Sequence, residues 1–121
     1  MDAGQEDRLF VERAVPRSDT VVLIMTGEVD HDTIGPLTEA LQEETGAVRI
    51  IADCSELRFC DSTGLNVLLK ARQRALRHGG RLDLAGLRPP VERMFAITGA
   101  HSLFRVYPDV EAALGDGQPD A

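Results

Sequence analysis

The order of strand-like and helix-like segments constrains the fold of this chain more than any other feature of its sequence. The chain opens with two apolar, β-branched runs that are joined by turn residues, Leu9–Val15 and Thr20–Met25. Beyond them, stretches with apolar residues at helical spacing alternate with short strand-like runs as far as Leu114. A hairpin followed by alternating helices and strands predicts an α/β fold with a mixed, mostly parallel β-sheet and about four α-helices.

Turn and capping residues set the limits of the predicted elements. After the hairpin, strands are predicted over Val48–Ala52, Arg81–Ala85 and Leu103–Tyr107. Helices are predicted from the candidate N-cap Thr33 to Gly46, from about Ser62 to Gly79, from Pro89 to about Gly99 and over 109–114. The segment Cys54–Cys60 is predicted to be a short loop that leads into the second helix.

The second and third predicted helices each carry an apolar face. Met94, Phe95 and Ile97 of the third helix are assigned to the core. Arg72 falls inside the apolar arc of the second helix, so we expect its stem to lie at the edge of the buried face. That arc consists of Leu65, Leu68, Leu69, Ala75 and Leu76.

Length and composition indicate one globular domain. The chain has 121 residues, of which 43% are hydrophobic and 27% charged, values typical of a single folded unit. We expect its core at about 9–114, with loose tails at 1–7 and 115–121. No apolar run approaches the ~20 residues of a membrane span, and the first residues lack the order of a secretory signal. A cytoplasmic protein without membrane association is therefore expected.

Charge is unevenly distributed along the chain, whose formal net charge is −7. Residues 1–65 hold 5 basic and 14 acidic side chains, residues 66–105 hold 8 and 2, and residues 106–121 hold 0 and 4. The negative sum argues against direct binding of nucleic acid, because phosphate backbones reward clustered positive charge. The excess of basic side chains in residues 66–105 is compatible with one positively charged face on the folded protein.

The cysteines and the acidic stretch could in principle hold a metal or form a redox pair. Cys54 and Cys60 are too few for a disulfide framework and lack zinc-site spacing; we expect small buried residues, and a redox pair is the alternative. The acidic stretch Glu28–Asp32 is interpreted as negative charge favoured at a helix N-terminus, since no second ligand cluster is apparent. No metal or other cofactor is expected.

The segment Asp61–Leu65 is predicted to lie where a loop turns into a helix. A helix start exposes unpaired N–H groups and favours an anion, so the hydroxyl of Ser62 would sit where a phosphate could be held. Asp61 and Ser62 are also ordinary capping residues, and both interpretations remain open. A hydrolase nucleophile is not indicated, because Cys60 stands where a nucleophile elbow requires glycine and no histidine is tied to Ser62 by local spacing. A hydrolase is therefore not expected.

The same segment resembles the signature of STAS domains, and specifically that of anti-sigma factor antagonists. In that signature a strand ends in Asp-x-Ser and is followed by x-Leu-x-Phe-x-Asp-Ser, then Ser or Thr, then Gly-Leu. Residues 53–65 of this chain read DCSELRFCDSTGL. Further similarities lie at 26–30 (TGEVD), 80–82 (GRL), 90–95 (PVERMF) and 98–99 (TG). The resemblance spans roughly residues 21–114 and implies a single STAS-type domain.

The resemblance implies a partner-switching regulator rather than a catalyst. It assigns Ser62 as the residue phosphorylated by the partner, an anti-sigma factor that is itself a serine kinase, with Thr63 as a second candidate acceptor. Asp30, Asp61, Ser62, Thr63 and Gly64 correspond to the partner-binding positions. The unphosphorylated form would bind the anti-sigma factor and release the sigma factor, phosphorylation would end that binding, and a PP2C-type phosphatase would restore it.

Two other functions remain open at this stage. One is a STAS scaffold or transporter-accessory subunit, which would bind proteins or a small ligand without being phosphorylated. The other is a catalyst that uses Ser62 or Cys60 as its nucleophile. Receipt of phosphate by Asp53, as in response-regulator receivers, is rejected because the chain opens with a hairpin and its one lysine, Lys70, lies in a predicted helix.

Overall fold

The computed structural model describes residues 8–44 and 48–116. Over these residues the chain forms a five-stranded sheet and four α-helices. The strands are β1 (Leu9–Arg17), β2 (Thr20–Val29), β3 (Arg49–Cys60), β4 (Arg81–Ala85) and β5 (Val106–Tyr107). The helices are α1 (Ile34–Glu43), α2 (Ser62–Arg77), α3 (Pro89–Thr98) and α4 (Val110–Asp116), and a short 3₁₀ turn covers Ala100–Ser102.

The strands follow one another across the sheet in the order β1-β2-β3-β4-β5. The β1–β2 hairpin is antiparallel, and each later neighbour pairs in parallel. The predicted α/β fold, with its mixed sheet, N-terminal hairpin and four helices, is confirmed. The parallel arrangement places the carboxyl ends of β2 and β3 side by side, and it is there that α1 and α2 begin.

The core lies on both faces of the sheet. On one face α1, α2 and α3 pack against the central strands through buried aliphatic side chains and Phe95. On the other face the smaller helix α4 contributes Ala113 to a second cluster. That cluster also contains Val22, Ile51 and Ala85. Because β2 and β3 are buried on both faces, they read as continuous apolar runs in the sequence, as central parallel strands do.

The predicted loop at Cys54–Cys60 is wrong, since β3 continues as a strand through Cys60. β2 also runs further than predicted, to Val29, and supplies hydrogen-bonding partners for this extension, with Gly27 opposite Leu57 and Val29 opposite Cys60. The register shifts twice along the way, between Ile24 and Thr26 and between Gly27 and Glu28. Such irregularities break the apolar alternation that would have indicated a strand.

Gly27 permits the extension of β2. Its φ of 116° lies in the region that side-chain-bearing residues rarely adopt, and a Cβ there would lie 1.9 Å from the carbonyl oxygen of Arg8. That oxygen accepts the N–H of Glu28 at 2.8 Å. The residue before β1 and the distal part of β2 are therefore held in direct backbone contact.

The edge of the sheet and the surface of α3 also differ from the predictions. Only Val106–Tyr107 of the predicted strand Leu103–Tyr107 pairs with β4. Ile97 is 77% exposed rather than buried, because α3 presents Val91 and Phe95, four residues apart, to the core. Met94 is partly buried and packs against the core, as predicted.

The helix ends shift by a few residues. Leu76 near the end of α2 is exposed rather than part of the buried arc. Helix α1 ends at Glu43, whereas the prediction ran to Gly46, a residue that lies outside the described ranges together with Thr45. Helix α4 continues to Asp116, so residues 115 and 116 are helical rather than part of a tail. The predicted tails at 1–7 and 117–121 lie outside the described residues.

Among the helices of the described ranges, none combines the length and the apolar character that crossing a membrane requires.

Candidate functional site

Asp61 caps helix α2. Its backbone is extended, and its Oδ1 accepts the N–H groups of Thr63 at 2.9 Å and Gly64 at 3.2 Å. Its carbonyl oxygen accepts the N–H of Leu65 at 3.1 Å, which closes the first helical turn. The carboxylate thus satisfies two of the four N–H groups that a helix start leaves unpaired. The capping role that the sequence suggested for this segment is confirmed for Asp61.

The ends of β2 and β3 fix the position of this cap. The N–H of Asp61 donates to the carbonyl oxygen of Val29 at 3.0 Å, one step beyond the Val29–Cys60 pair. Asp30 follows Val29 directly, as Asp61 follows Cys60. Two acidic residues that are 31 positions apart in sequence therefore leave the same edge of the sheet from adjacent strands.

Gly64 allows helix α2 to lie close to these strand ends. A Cβ at this position would lie 2.5 Å from Cγ1 of Val29 and 2.8 Å from Sγ of Cys60. Contacts of this length force atoms to move, so any larger residue would push the start of α2 away from the sheet. The glycine of the motif is explained by close packing and not by an unusual backbone angle, since its φ is not positive.

Ser62 is the first residue of α2 and is exposed. Within the described part of the chain, its hydroxyl takes part in no side-chain hydrogen bond. Thr63, the second candidate acceptor, is only partly exposed. The structure therefore places an exposed serine at the positive end of a 16-residue helix.

Asp30 organises the loop between β2 and α1. Its Oδ1 accepts the N–H of Asp32 at 2.9 Å and the N–H of Thr33 at 3.1 Å, while its Oδ2 pairs with the guanidinium of Arg8. Desolvation by the surrounding chain opposes ionisation of Asp30. The N–H of Asp32, the charge of Arg8 and the N–H and hydroxyl of Thr33 outweigh it and lower the pKa of this carboxyl from its ordinary value. Asp30 is therefore an ionised, fixed negative charge near neutral pH.

Thr33 stands at the predicted N-cap position of α1, but its side chain makes no capping hydrogen bond to the helix. Its hydroxyl instead donates to the carbonyl oxygen of Glu28 at 2.8 Å and accepts the N–H of Asp30 at 2.9 Å. This buried threonine ties the loop back to the end of β2. The position was predicted correctly, whereas the hydrogen bonds expected of it were not.

Oxygen and nitrogen atoms of Asp30, His31 and Asp32 lie within 4.8 Å of one another. Both carboxylate oxygens of Asp30 are already engaged by backbone N–H groups and by Arg8. The hydrogen bonds of this loop account for Asp30, whereas the first turn of α1 contains no acidic residue.

Cys54 and Cys60 are buried, as expected, and are free thiols. Burial, reinforced by the charge of Asp61, raises the pKa of Cys60 to about 12, and burial raises the pKa of Cys54 still further. The thiolate is the reactive form of cysteine. Neither side chain is therefore suited to act as a nucleophile near neutral pH.

One family accounts for both the fold and this edge of the sheet: the family model described as STAS domain matches residues 13–113. The chain belongs to the STAS domain family. The match covers each strand from β2 to β5 and all of the site described above.

Named relatives of this STAS domain are anti-sigma factor antagonists. The anti-sigma F factor antagonist of Paenibacillus polymyxa is 28% identical over 98 residues, which cover 78% of this chain and 83% of that protein. The anti-sigma-B factor antagonist of Listeria monocytogenes serovar 1/2a is 33% identical over 92 residues, which cover 74% and 80%.

The anti-sigma factor antagonist SpoIIAA of Bacillus is similar in structure. Its unphosphorylated form superposes with a TM-score of 0.68 at 26% identity, covering 86% of this chain and 93% of that one. Its phosphorylated form gives a TM-score of 0.70 at 24% identity, covering 88% and 97%.

The structure adds an exposed aromatic residue that the sequence analysis did not assign to the site. Phe59 lies in the β3 extension, three residues before Ser62, and is 47% exposed. Its neighbour Arg58 lies 3.7 Å from the carboxylate of Glu28 on β2. Because residues 54–60 were predicted to form a loop, the exposed surface at Phe59 was not predicted. The sequence signal for it is the aromatic residue two positions before the Asp61-Ser62 pair.

Proposed function

We propose that this STAS domain is an anti-sigma factor antagonist, and not an enzyme, whose binding to a cognate anti-sigma factor is switched off by phosphorylation of Ser62. The observation that carries the proposal is the exposure of Ser62 at the first position of the capped helix α2. The named relatives support the role, because they are anti-sigma factor antagonists and this chain matches them over most of their length. The existence of SpoIIAA in an unphosphorylated and a phosphorylated form supports the switch.

The proposed modification is compatible with the fold. The anti-sigma factor acts as a serine kinase: Ser62 Oγ attacks the γ-phosphorus of ATP, ADP leaves, and the hydroxyl proton passes to the kinase or to solvent. The phosphate adds about −1.5 to −2 charge at neutral pH. At the start of α2 that charge faces the positive end of the helix dipole, so the folded state tolerates it.

The same charge opposes binding of the partner. We infer that Asp30, Asp61, Ser62, Thr63 and Gly64 contribute to the partner-binding surface, with Phe59 as an apolar anchor at its border. Phosphate placed beside the ionised Asp30 and the capping Asp61 would add like charge to this surface and would have to be desolvated on binding. A coupling free energy of about 1–3 kcal/mol, a typical value, lowers affinity some 5–150-fold.

We also propose the other components of the cycle. A PP2C-type phosphatase restores the unphosphorylated Ser62, and the protein works in the cytoplasm, where it contacts proteins and neither nucleic acid nor membrane. The negative overall charge of −7 is consistent with the absence of nucleic-acid binding.

Phosphorylation is tested by mass spectrometry. The unmodified protein is used to capture its kinase from the native cell, and the purified pair is incubated with ATP. One phosphate is expected on the wild type and on Thr63→Val, and none on Ser62→Ala. Ser102→Ala serves as the matched control, since Ser102 is also exposed but lies after α3. Phosphate that persists on Ser62→Ala would show that the acceptor is misassigned.

Partner switching is tested with Ser62→Asp, which places a permanent negative charge at the start of α2. We expect unchanged thermal unfolding and a loss of affinity for the captured kinase within the 5–150-fold range, measured by calorimetry. Ser102→Asp adds the same charge elsewhere and should bind like the wild type. Equal affinity of Ser62→Asp and the wild type for the kinase would refute the switch. If the wild type captures no kinase and takes up no phosphate, the scaffold function is favoured instead.

A further inference from the structure

A cavity of about 220 Å³ lies at the exposed edge of β4, near the carboxyl end of α2 and remote in sequence from Ser62. Three of the residues that line it are arginines from different elements, with Arg72 on α2, Arg81 at the start of β4 and Arg105 just before β5. Three apolar residues, Leu76, Leu82 and Leu103, complete the wall together with Asp83. The cavity therefore combines strong positive charge with an apolar wall.

The one acidic residue among those lining the cavity is already shared. Asp83 is buried, and its Oδ2 accepts the Nε–H of Arg81 at 3.0 Å and the Nε–H of Arg49 at 3.0 Å. Nη2 of Arg49 also lies 2.9 Å from this oxygen, but its N–H is not directed along a hydrogen bond. Nη2 of Arg81 has no hydrogen-bond partner in the described part of the chain. Two guanidinium groups thus compete for one carboxylate, and a positive excess remains.

The other two arginines that line the cavity, Arg72 and Arg105, are not bonded to Asp83. The guanidinium carbon of Arg72 lies 6.0 Å from the ring centre of Phe104, a cation–π contact that leaves its N–H groups available to an anion. The carbonyl oxygen of Arg105 accepts the N–H of Leu84 at 2.9 Å, which fixes the backbone of Arg105 beside β4. Within the described residues, neither side chain has an acidic partner at ion-pair distance. This arrangement also explains why an arginine interrupts the apolar arc of α2.

We propose that this cavity binds the phosphate group of a small molecule. Guanidinium groups bind phosphate through paired, charge-assisted hydrogen bonds, and arginines from three elements line this one cavity. A water molecule takes up about 30 Å³ in the liquid, so a cavity of this size has room for a phosphate and a few carbon atoms against the leucine walls but is small for a whole nucleotide. This site does not depend on phosphorylation of Ser62.

The site is tested by following backbone amide signals of the full chain by NMR during titration with inorganic phosphate, and separately with glycerol 3-phosphate, at constant ionic strength balanced with chloride. Saturable shifts are expected around Arg72, Arg81 and Arg105, with no comparable shift at Ser62 or Thr63. Glycerol 3-phosphate is expected to bind at least as tightly as inorganic phosphate.

Two independent variants identify the arginines that carry the binding. Arg72→Gln and Arg105→Gln should each weaken phosphate binding about tenfold or more, because each removes a charge-assisted contact. Arg77→Gln removes the same charge from an exposed position at the end of α2 outside the cavity and should bind like the wild type. Absence of saturable shifts at the cavity, or equal weakening of phosphate binding by Arg77→Gln, would overturn the proposal. If Arg72→Gln does not fold, Arg105→Gln still gives the test, because Arg105 is an exposed loop residue.

Discussion

At the scale of single residues, Gly64 shows how closely the functional helix is packed. Replacing it with alanine would put a Cβ within 2.5 Å of Val29 and 2.8 Å of Cys60. We expect Gly64→Ala to lower the free energy of unfolding by about 1–3 kcal/mol, as overpacking of a tight contact does. Urea unfolding measures this change.

Gly35 provides the matched control for that prediction. It also lies in the first turn of a helix, but a Cβ there would meet nothing within 4 Å. Gly35→Ala should therefore leave stability unchanged or raise it by up to about 1 kcal/mol. If both variants changed stability equally, close packing would not be the reason for glycine at position 64.

The residues of the site divide into those that their sequence context predicts and those that it does not. Ser62, Asp61 and Gly64 could be placed at a helix start because capping and helix initiation are local properties. The exposed surface around Phe59 depends on β2 and β3 running on together, which is a property of two distant segments. Within β3 alone, the aromatic residue at position 59 is the one local signal of this surface.

At the scale of secondary-structure elements, Asp61 decides how well α2 begins. Its carboxylate is the acceptor for two N–H groups of the first turn. Asp61→Ala should lower the free energy of unfolding by about 0.5–2 kcal/mol, whereas Asp61→Asn, which retains a capping oxygen, should lower it by less. Equal losses in thermal and urea unfolding of both variants would argue that charge, rather than capping, is what Asp61 supplies.

The elements also differ in how well the sequence predicted them. β4 was predicted with the limits it has in the structure, because its polar and apolar residues alternate between well-marked turns. The extension of β3 was missed because bulges break its pattern, and the short β5 was overestimated because Leu103 and Phe104 are apolar without pairing to β4. An apolar, strand-like segment forms part of a sheet only where its backbone also pairs with a neighbouring strand, and the sequence pattern does not show that pairing.

At the scale of the whole molecule, the two buried thiols report on global unfolding. Burial raises the pKa of Cys60 to about 12 in the folded state, whereas a cysteine in an unfolded chain has a pKa of about 8.5. We expect iodoacetamide to label Cys54 and Cys60 of the folded protein at pH 8 slowly, at a rate set by the small unfolded population, and to label them quickly in urea. Labelling of the folded protein as fast as in urea would mean that the core opens far more easily than its packing indicates.

The same difference in pKa gives a dependence of stability on pH. Because the folded pKa is raised, this contribution to stability is complete below the unfolded pKa and is lost as the pH rises toward 12. The free energy of unfolding should therefore fall between about pH 9 and 12, and less steeply when both cysteines are replaced by alanine.

The order of apolar runs, helix periods and turn residues by itself determined the α/β fold with its hairpin, and the local motif predicted a serine at the start of a helix. These features depend on the chain's own periodicity and on capping within a few residues, so they can be derived from one sequence. The tertiary structure alone decided which side chains face solvent and which distant ones meet: Asp30 beside Asp61, Phe59 exposed, and three arginines around one cavity. Such proximity arises from pairing register and from the packing of helices on the sheet, and both are set by contacts between segments far apart in the chain.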